Sequence, residues 1–172
     1  MLKESVEKAL NEQINKEFYS AYLYLSMSAW FQTKGLNGFA NWMTVQYKEE
    51  LTHAEKFFAY VNNRSGKVTL APIAGVPVEF KDVQSIFEYT LEHEQKVTAS
   101  IDALMDTAIA AGDHATQSFL KWFVDEQVEE ESNVQEILDT LRLINGQVNG
   151  IFMLNRELGA RNFVDDTTAS AS

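Results

Sequence analysis

An all-α fold is predicted: a four-helix bundle with a long connection between the second and third helices and a short fifth helix at the end. Three observations predict it. Pro72 and Pro77, the two prolines of the 172-residue chain, both fall within residues 65–82, leaving long proline-free stretches on either side that suit helices. Glycine, asparagine and aspartate punctuate those stretches at intervals of about thirty residues. Apolar residues recur in alternating steps of four and three, the spacing of a face that a bundle buries.

The first helix covers about residues 5–31 and is ended by Thr33-Lys34-Gly35. The second starts with Asn37 as its N-cap and runs to about residue 64, where Ser65-Gly66 stops it. A third begins near Asp82 or Ser85 and runs to Ala111, closed by Gly112. Asp113 caps the fourth, which continues to Asn145-Gly146. The fifth spans about residues 147–158, before Gly159. Helices of this length extend roughly 40 to 50 Å at about 1.5 Å per residue. The segment 65–81, at up to about 3.3 Å per residue, can cross that distance and so let the second and third helices run parallel. Residues 1–164 form one helical domain, and the polar tail 165–172 is expected to be disordered.

Composition removes several functions. The net charge of −11 opposes binding to nucleic acid or an anionic membrane and favours cations. The absence of cysteine excludes disulfides, iron–sulfur clusters, thiolate zinc sites and a catalytic thiol. No apolar run approaches the roughly 20 residues of a membrane span, and no signal-type run follows the N-terminus, so a cytoplasmic protein is expected. The sequon Asn63-Arg64-Ser65 is read as chance on the same ground.

The inner seams carry the chemistry. The first helix gives Leu10, Ile14, Glu17, Ala21, Tyr24, Ser28 and Phe31; the second gives Phe39, Met43, Gln46, Glu50, His53, Phe57 and Tyr60. The third gives Val83, Phe87, Thr90, Glu94, Val97, Ile101, Leu104 and Ala108. The fourth gives Thr116, Leu120, Phe123, Gln127, Glu130, Val134, Ile137, Leu141 and Ile144. Each seam is apolar but broken near its middle, by Glu17, by Glu50 and His53, by Glu94, and by Gln127 and Glu130. Aligned in a bundle, these interruptions converge. Four carboxylates in an apolar core, with no lysine or arginine on any seam, each carry a desolvation penalty of several kcal/mol and repel one another. Two divalent metal ions offset −4 with +4, His53 serving as a neutral ligand and Gln127 as a neutral hydrogen-bonding or weakly ligating group. Oxygen-rich donors with one imidazole suit iron or manganese, with zinc a competitor on affinity. Tyr24, two turns from Glu17 on the same seam, is placed for a redox or hydrogen-bonding role. His93 and His114 lie off the seams and are read as structural. Glu126, Glu129 and Glu131 read, by position alone, as a solvated helix face, and Glu49 as an acid beside the second seam.

The segments Asn15-Lys16-Glu17-Phe18-Tyr19-Ser20, Glu49-Glu50-Leu51-Thr52-His53, His93-Glu94-Gln95 and Glu126-Gln127-Val128-Glu129-Glu130-Glu131 together resemble the ferroxidase motifs of the non-haem bacterial ferritins, in their usual order. Nearly the whole chain is covered by the likeness. It implies a ferritin-like bundle in which Glu17, Glu50 and His53 hold one iron, with Gln127 close by. Glu50, Glu94 and Glu130 hold a second, Glu50 bridging, and Glu49, Glu126 and Glu129 with Glu130 make a third site. Tyr24 and Trp122 match aromatic positions near the centre, Tyr24 as the redox-active one. The resemblance further implies Fe(II) oxidation by O2 or H2O2, ferric mineral stored inside a homo-oligomeric shell of twenty-four chains, and no nucleic-acid or membrane partner. Haem is not expected, because Leu51 stands where bacterioferritins carry a haem-ligating methionine and the fourth helix lacks Glu-x-x-His. The common di-iron bundle pattern has two Glu-x-x-His motifs, of which this chain keeps one. Gln117 and Leu120 stand where animal ferritins line their three-fold channels with acids. The alternative is a di-iron oxidase or peroxide scavenger of the rubrerythrin-like class, without mineral storage. A third reading is a structural bundle that binds no metal.

Overall fold

The computed structural model describes residues 2–165. Five helices follow one another: α1 (Glu4–Thr33), α2 (Asn37–Asn63), α3 (Val83–Ala110), α4 (His114–Ile144) and α5 (Val148–Leu158). Of the polar tail, 166–172 lie outside the described residues. No helix among those described is long and apolar enough to cross a membrane.

Local chemistry explains most boundaries. Glu4 and Glu7 place negative charge on the first turn of α1, where the helix dipole favours it. Asp82 caps α3 in a reciprocal capping box with Ser85, and the Asp113 side chain accepts from Thr116 N to start α4. Asn145 takes a left-handed φ of 48° to end α4.

One boundary differs in mechanism from the sequence expectation. Asn37 does not cap α2; it is the first helical residue, Leu36 is the N-cap, and no side chain of the cap residue bonds the helix. The free amides of Gly38 and Phe39 instead donate to Asn155 Oδ1 of α5, at 2.8 and 3.2 Å. The tight exit from α1, where Leu36 N donates to Phe31 O, leaves no extended residue to serve as a local cap. A side chain 117 positions away does so. This close approach requires glycine: a Cβ on Gly38 would lie 1.5 Å from the Asn155 carbonyl oxygen.

The long connection is strapped along α1. Asn11 bonds the backbone of Lys67 and Thr69, Asn15 donates to Ala71 O, and Ser26 donates to Pro77 O at 2.6 Å. From Asn11 to Ser26 the segment therefore climbs beside α1 for about 22 Å, which returns the chain to the end where α2 began. Phe87 near the start of α3 consequently packs on Phe39 and Trp42 near the start of α2, with ring centroids 5.9 and 5.3 Å apart. The two helices run parallel, as the length of the connection predicts. At the opposite end Phe57 stacks on Phe123 at 4.0 Å and Tyr60 on Phe119 at 3.8 Å, the pairing of an antiparallel α2 and α4.

Every seam residue named from the sequence is buried except Tyr60, Val83 and Ile144, which are half-buried near the bundle ends. The apolar core is divided in two. One half gathers Leu23, Met27, Phe31, Phe39, Met43, Phe87 and Leu138; the other gathers Leu10, Ile14, Phe57, Val97, Ile101, Leu120 and Phe123. Each such side chain contributes about 1.5–3 kcal/mol by leaving water. Between the halves lies the polar layer.

Candidate metal centre

Glu17 comes from α1, Glu50 and His53 from adjacent turns of α2, Glu94 from α3, and Gln127 and Glu130 from adjacent turns of α4. All six are buried. The carboxylate oxygens of Glu17 and Glu50 and a ring nitrogen of His53 lie within 4.8 Å of one another, a spacing that one cation can bridge. Glu17 Oε2 and Glu50 Oε2 are buried and reached by no amide or hydroxyl donor, and the two carboxyls are close enough to share a proton. His53 Nδ1 stands 3.6 Å from Glu50 Oε2, too far for one.

The other oxygens are held. Gln13 Nε2 donates to Glu17 Oε1 at 2.8 Å, and Gln13 Oε1 in turn accepts from Ser100 Oγ, to which Lys16 Nζ donates. The Tyr24 hydroxyl donates to Glu94 Oε1, while Gln127 Nε2 donates to Glu94 Oε2 at 3.1 Å. Gln46 Nε2 donates to Glu130 Oε2 at 2.7 Å.

Burial and crowding raise the proton affinity of these acids when no cation is present. Burial pushes the Glu50 carboxyl well above the usual carboxylate range, and the charges of Glu94, Glu17 and Glu130 push it further. Glu94 rises to about 8, by burial first and then by Glu130, against the hydrogen bonds from Tyr24 and Gln127. Glu17 and Glu130 rise too, chiefly by burial. His53 moves the other way, to about 4, through burial and the nearby Lys56 charge. The ring is therefore neutral at pH 7 and able to ligate. Burial and the Glu94 charge push the Tyr24 phenol well up, so it stays a donor. Buried carboxyl oxygens that no amide or hydroxyl reaches, beside a neutral imidazole, form a donor set that a divalent cation satisfies, and its oxygen-rich composition fits iron or manganese.

The acids expected to form a third site are not gathered in the same way. Glu49 Oε2 accepts from Arg161 Nη2 at 2.8 Å, Glu126 Oε1 lies 3.9 Å from His53 Nε2, and Glu129 is exposed. Among the described residues only Glu17, Glu50 and His53 meet as a close group of three metal-ligating side chains. Trp122 stands edge-on to His53, ring centroids 5.4 Å apart, with Lys56 Nζ 3.6 Å from its own centroid. His93 bonds Ser20 Oγ at 2.8 Å and lies edge-on to Tyr24, while His114 is exposed.

Sequence reasoning missed the cation beside the layer. No seam carries one, yet Arg161, from the segment after α5, donates through Nη1 to Gln46 Oε1 at 2.5 Å. It escapes a search for helical periodicity because it lies outside every helix. Gln46 was visible on its seam, and its amide between two charged groups gives it a role that position alone did not.

A parallel-crossover helical bundle closed around a buried carboxylate layer defines a protein built to hold metal cations. Residues 7–144 match the family described as ferritin-like domain. A bacterial non-heme ferritin of Bacteroides fragilis is 42% identical over 161 residues, 94% of this chain and 100% of that one. A probable bacterial non-heme ferritin-like protein of Haemophilus influenzae is 38% identical over 92% of this chain and 96% of its own. The solved open-pore ferritin of Archaeoglobus fulgidus superposes with a TM-score of 0.93 at 45% identity, covering 94% of this chain and 100% of that one. The chain belongs to the ferritin family. Its function is iron storage with ferroxidase activity, and the buried Glu17, Glu50 and His53 group fits a di-iron site.

Proposed function

We propose that the chain takes Fe(II) as substrate at two adjacent positions in its polar layer. Glu17, Glu50 and His53 hold one ion, Glu50, Glu94 and Glu130 hold the other, Glu50 bridges them, and Gln127 fixes Glu94. Two Fe(II) ions give one electron each to O2 or to H2O2, and the ferric product moves on to be stored as mineral. The observation that carries this reading is the pair of buried oxygens on Glu17 and Glu50, reached by no amide or hydroxyl donor, beside the neutral His53 ring.

The chain's own groups prepare the layer. Metal binding competes with protons at Glu50 and Glu94, whose carboxyls burial pushes up, that of Glu94 to about 8, so affinity rises with pH. Gln13 and Gln46 restrain the outer oxygens of Glu17 and Glu130. Tyr24, bonded to Glu94, is placed to supply an electron or a proton to the second position. Glu49, Glu126 and Glu129 with Glu130 form a third position once Glu49 exchanges its Arg161 partner for a cation. No haem is used.

Storage requires an enclosed space, and we infer a homo-oligomeric shell of twenty-four chains in the cytoplasm. The short α5 supports assembly: Leu154 and Leu158 anchor it to the bundle, while Val148, Phe152 and Met153 stay exposed in the single chain.

The deciding experiment adds Fe(II) in air to the metal-free protein, in large excess over three ions per chain, and assays iron and protein across a size-exclusion column. Storage predicts iron far above three per chain, travelling with a large shell. Iron at site stoichiometry on a small oligomer would reject storage and favour a di-iron oxidase or peroxide scavenger.

A further inference from the structure

We propose that Arg161, acting through Gln46, is a positioning residue for Glu130 and ties the seating of α5 to the metal centre; this rests on the iron-binding reading above. Gln46 is fully buried one turn before Glu50 on α2. Its Nε2 donates to Glu130 Oε2 at 2.7 Å and its Oε1 accepts from Arg161 Nη1 at 2.5 Å. The second arm of the guanidinium, Nη2, donates to Glu49 Oε2 at 2.8 Å. An amide has two unlike ends of nearly equal shape, and a carboxylate alone would not stop it from turning toward another partner. Here the turned state would set Oε1 against the Glu130 carboxylate and the amide hydrogens against the guanidinium. Both contacts would be repulsive. The cation thus locks the amide, and the locked amide commits one Glu130 oxygen to a fixed donor.

Arg161 is itself held by α2. Its guanidinium lies 4.8 Å from the Trp42 ring centroid, and its carbonyl accepts from Asn41 Nδ2, which also donates to Leu158 O at the end of α5. Arg161 lies three positions after Leu158, which is buried, and one turn earlier in α5 Asn155 caps α2. Displacement of α5 therefore withdraws the guanidinium, and Gln46 loses the bond that orients it. The far side of the layer repeats the device independently: Lys16 donates to Ser100, Ser100 to Gln13, and Gln13 to Glu17. In both cases a cation outside the seams fixes a buried glutamine that fixes a carboxylate.

The test is an anaerobic Fe(II) titration of the full chain, reading site occupancy spectroscopically and native mass in parallel, for wild type, Arg161→Met, Gln46→Leu and the double variant. Each single substitution is expected to raise the half-saturating Fe(II) concentration about tenfold, as loss of a group that orients a metal ligand does. The double variant should be no weaker than either single one, because both break the same relay, and Arg161→Lys should recover part of the loss. Wild-type affinity in Arg161→Met, or losses that multiply in the double variant, would overturn the proposal. Should Arg161→Met lower the native mass, Arg161→Lys is read in its place, and wild-type affinity in both it and Gln46→Leu rejects the idea. Glu50→Ala with His53→Ala separates the two levels: if wild type shows no tight Fe(II) binding that this variant removes, the iron reading itself fails. If it does, only the role of Arg161 is at stake.

Discussion

Replacing Glu94 by glutamine should change the number of protons released when metal binds, by an amount that depends on pH in a defined way. The Glu94 carboxyl titrates near 8 rather than 4.5, so ionising it in the metal-free protein costs about 5 kcal/mol more than ionising a carboxyl in water. At pH 7 it is therefore about nine-tenths protonated, and at pH 9 about one-tenth. A ligating carboxylate must surrender that proton. Wild type should accordingly release about one proton per chain more than Glu94→Gln at pH 7, the difference shrinking to about 0.1 at pH 9. The assay is pH-stat titration of metal-free protein with Fe(II) under anaerobic conditions. Equal release from the two proteins at pH 7, or a difference that persists at pH 9, would refute the argument that burial and Glu130 hold a proton on Glu94.

The same raised carboxyls predict how the metal-free fold responds to pH. Their contribution to stability is fully present below about 4.5 and is lost as pH rises, for Glu94 through about 8, because the folded state holds protons that the unfolded chain has released. His53 and His93, lowered to about 4, act in the opposite sense only between 6.5 and 4. Thermal melts between pH 7 and 9 should thus show the metal-free protein weakening with pH and a divalent cation reversing the trend; a flat profile would count against it. Glu50→Ala with His53→Ala should slow Fe(II) oxidation in air by about 100-fold or more, measured by the rise of ferric absorbance, while circular dichroism stays helical. Asn155→Ala removes the cap of α2 and should cost about 1 kcal/mol, seen as a lower melting temperature that Asn155→Asp largely restores. Deleting residues 147–172 should reduce the native mass, and an unchanged mass would remove α5 from the assembly.

The helices, their seams and the interruptions at one depth were legible in the sequence because helical periodicity is local: four-three spacing puts Glu17, Glu50, His53, Glu94, Gln127 and Glu130 on inner faces before any packing is known. The confinement of proline to one segment fixed the topology, since a connection long enough to span the bundle makes α2 and α3 parallel. What the sequence could not disclose were contacts between segments far apart that follow no period. Arg161 reaches the layer from outside every helix, Asn155 caps α2 across 117 positions, and Lys16 is joined to Glu17 through Ser100 and Gln13 rather than directly. Nor did spacing disclose that Glu49 is paired with Arg161, whereas Glu129 faces outward as its position alone predicts, so that acids adjacent in sequence to the ligands do not all converge. Local repetition determines which face a side chain occupies; only the packing of distant segments decides which partner it meets there.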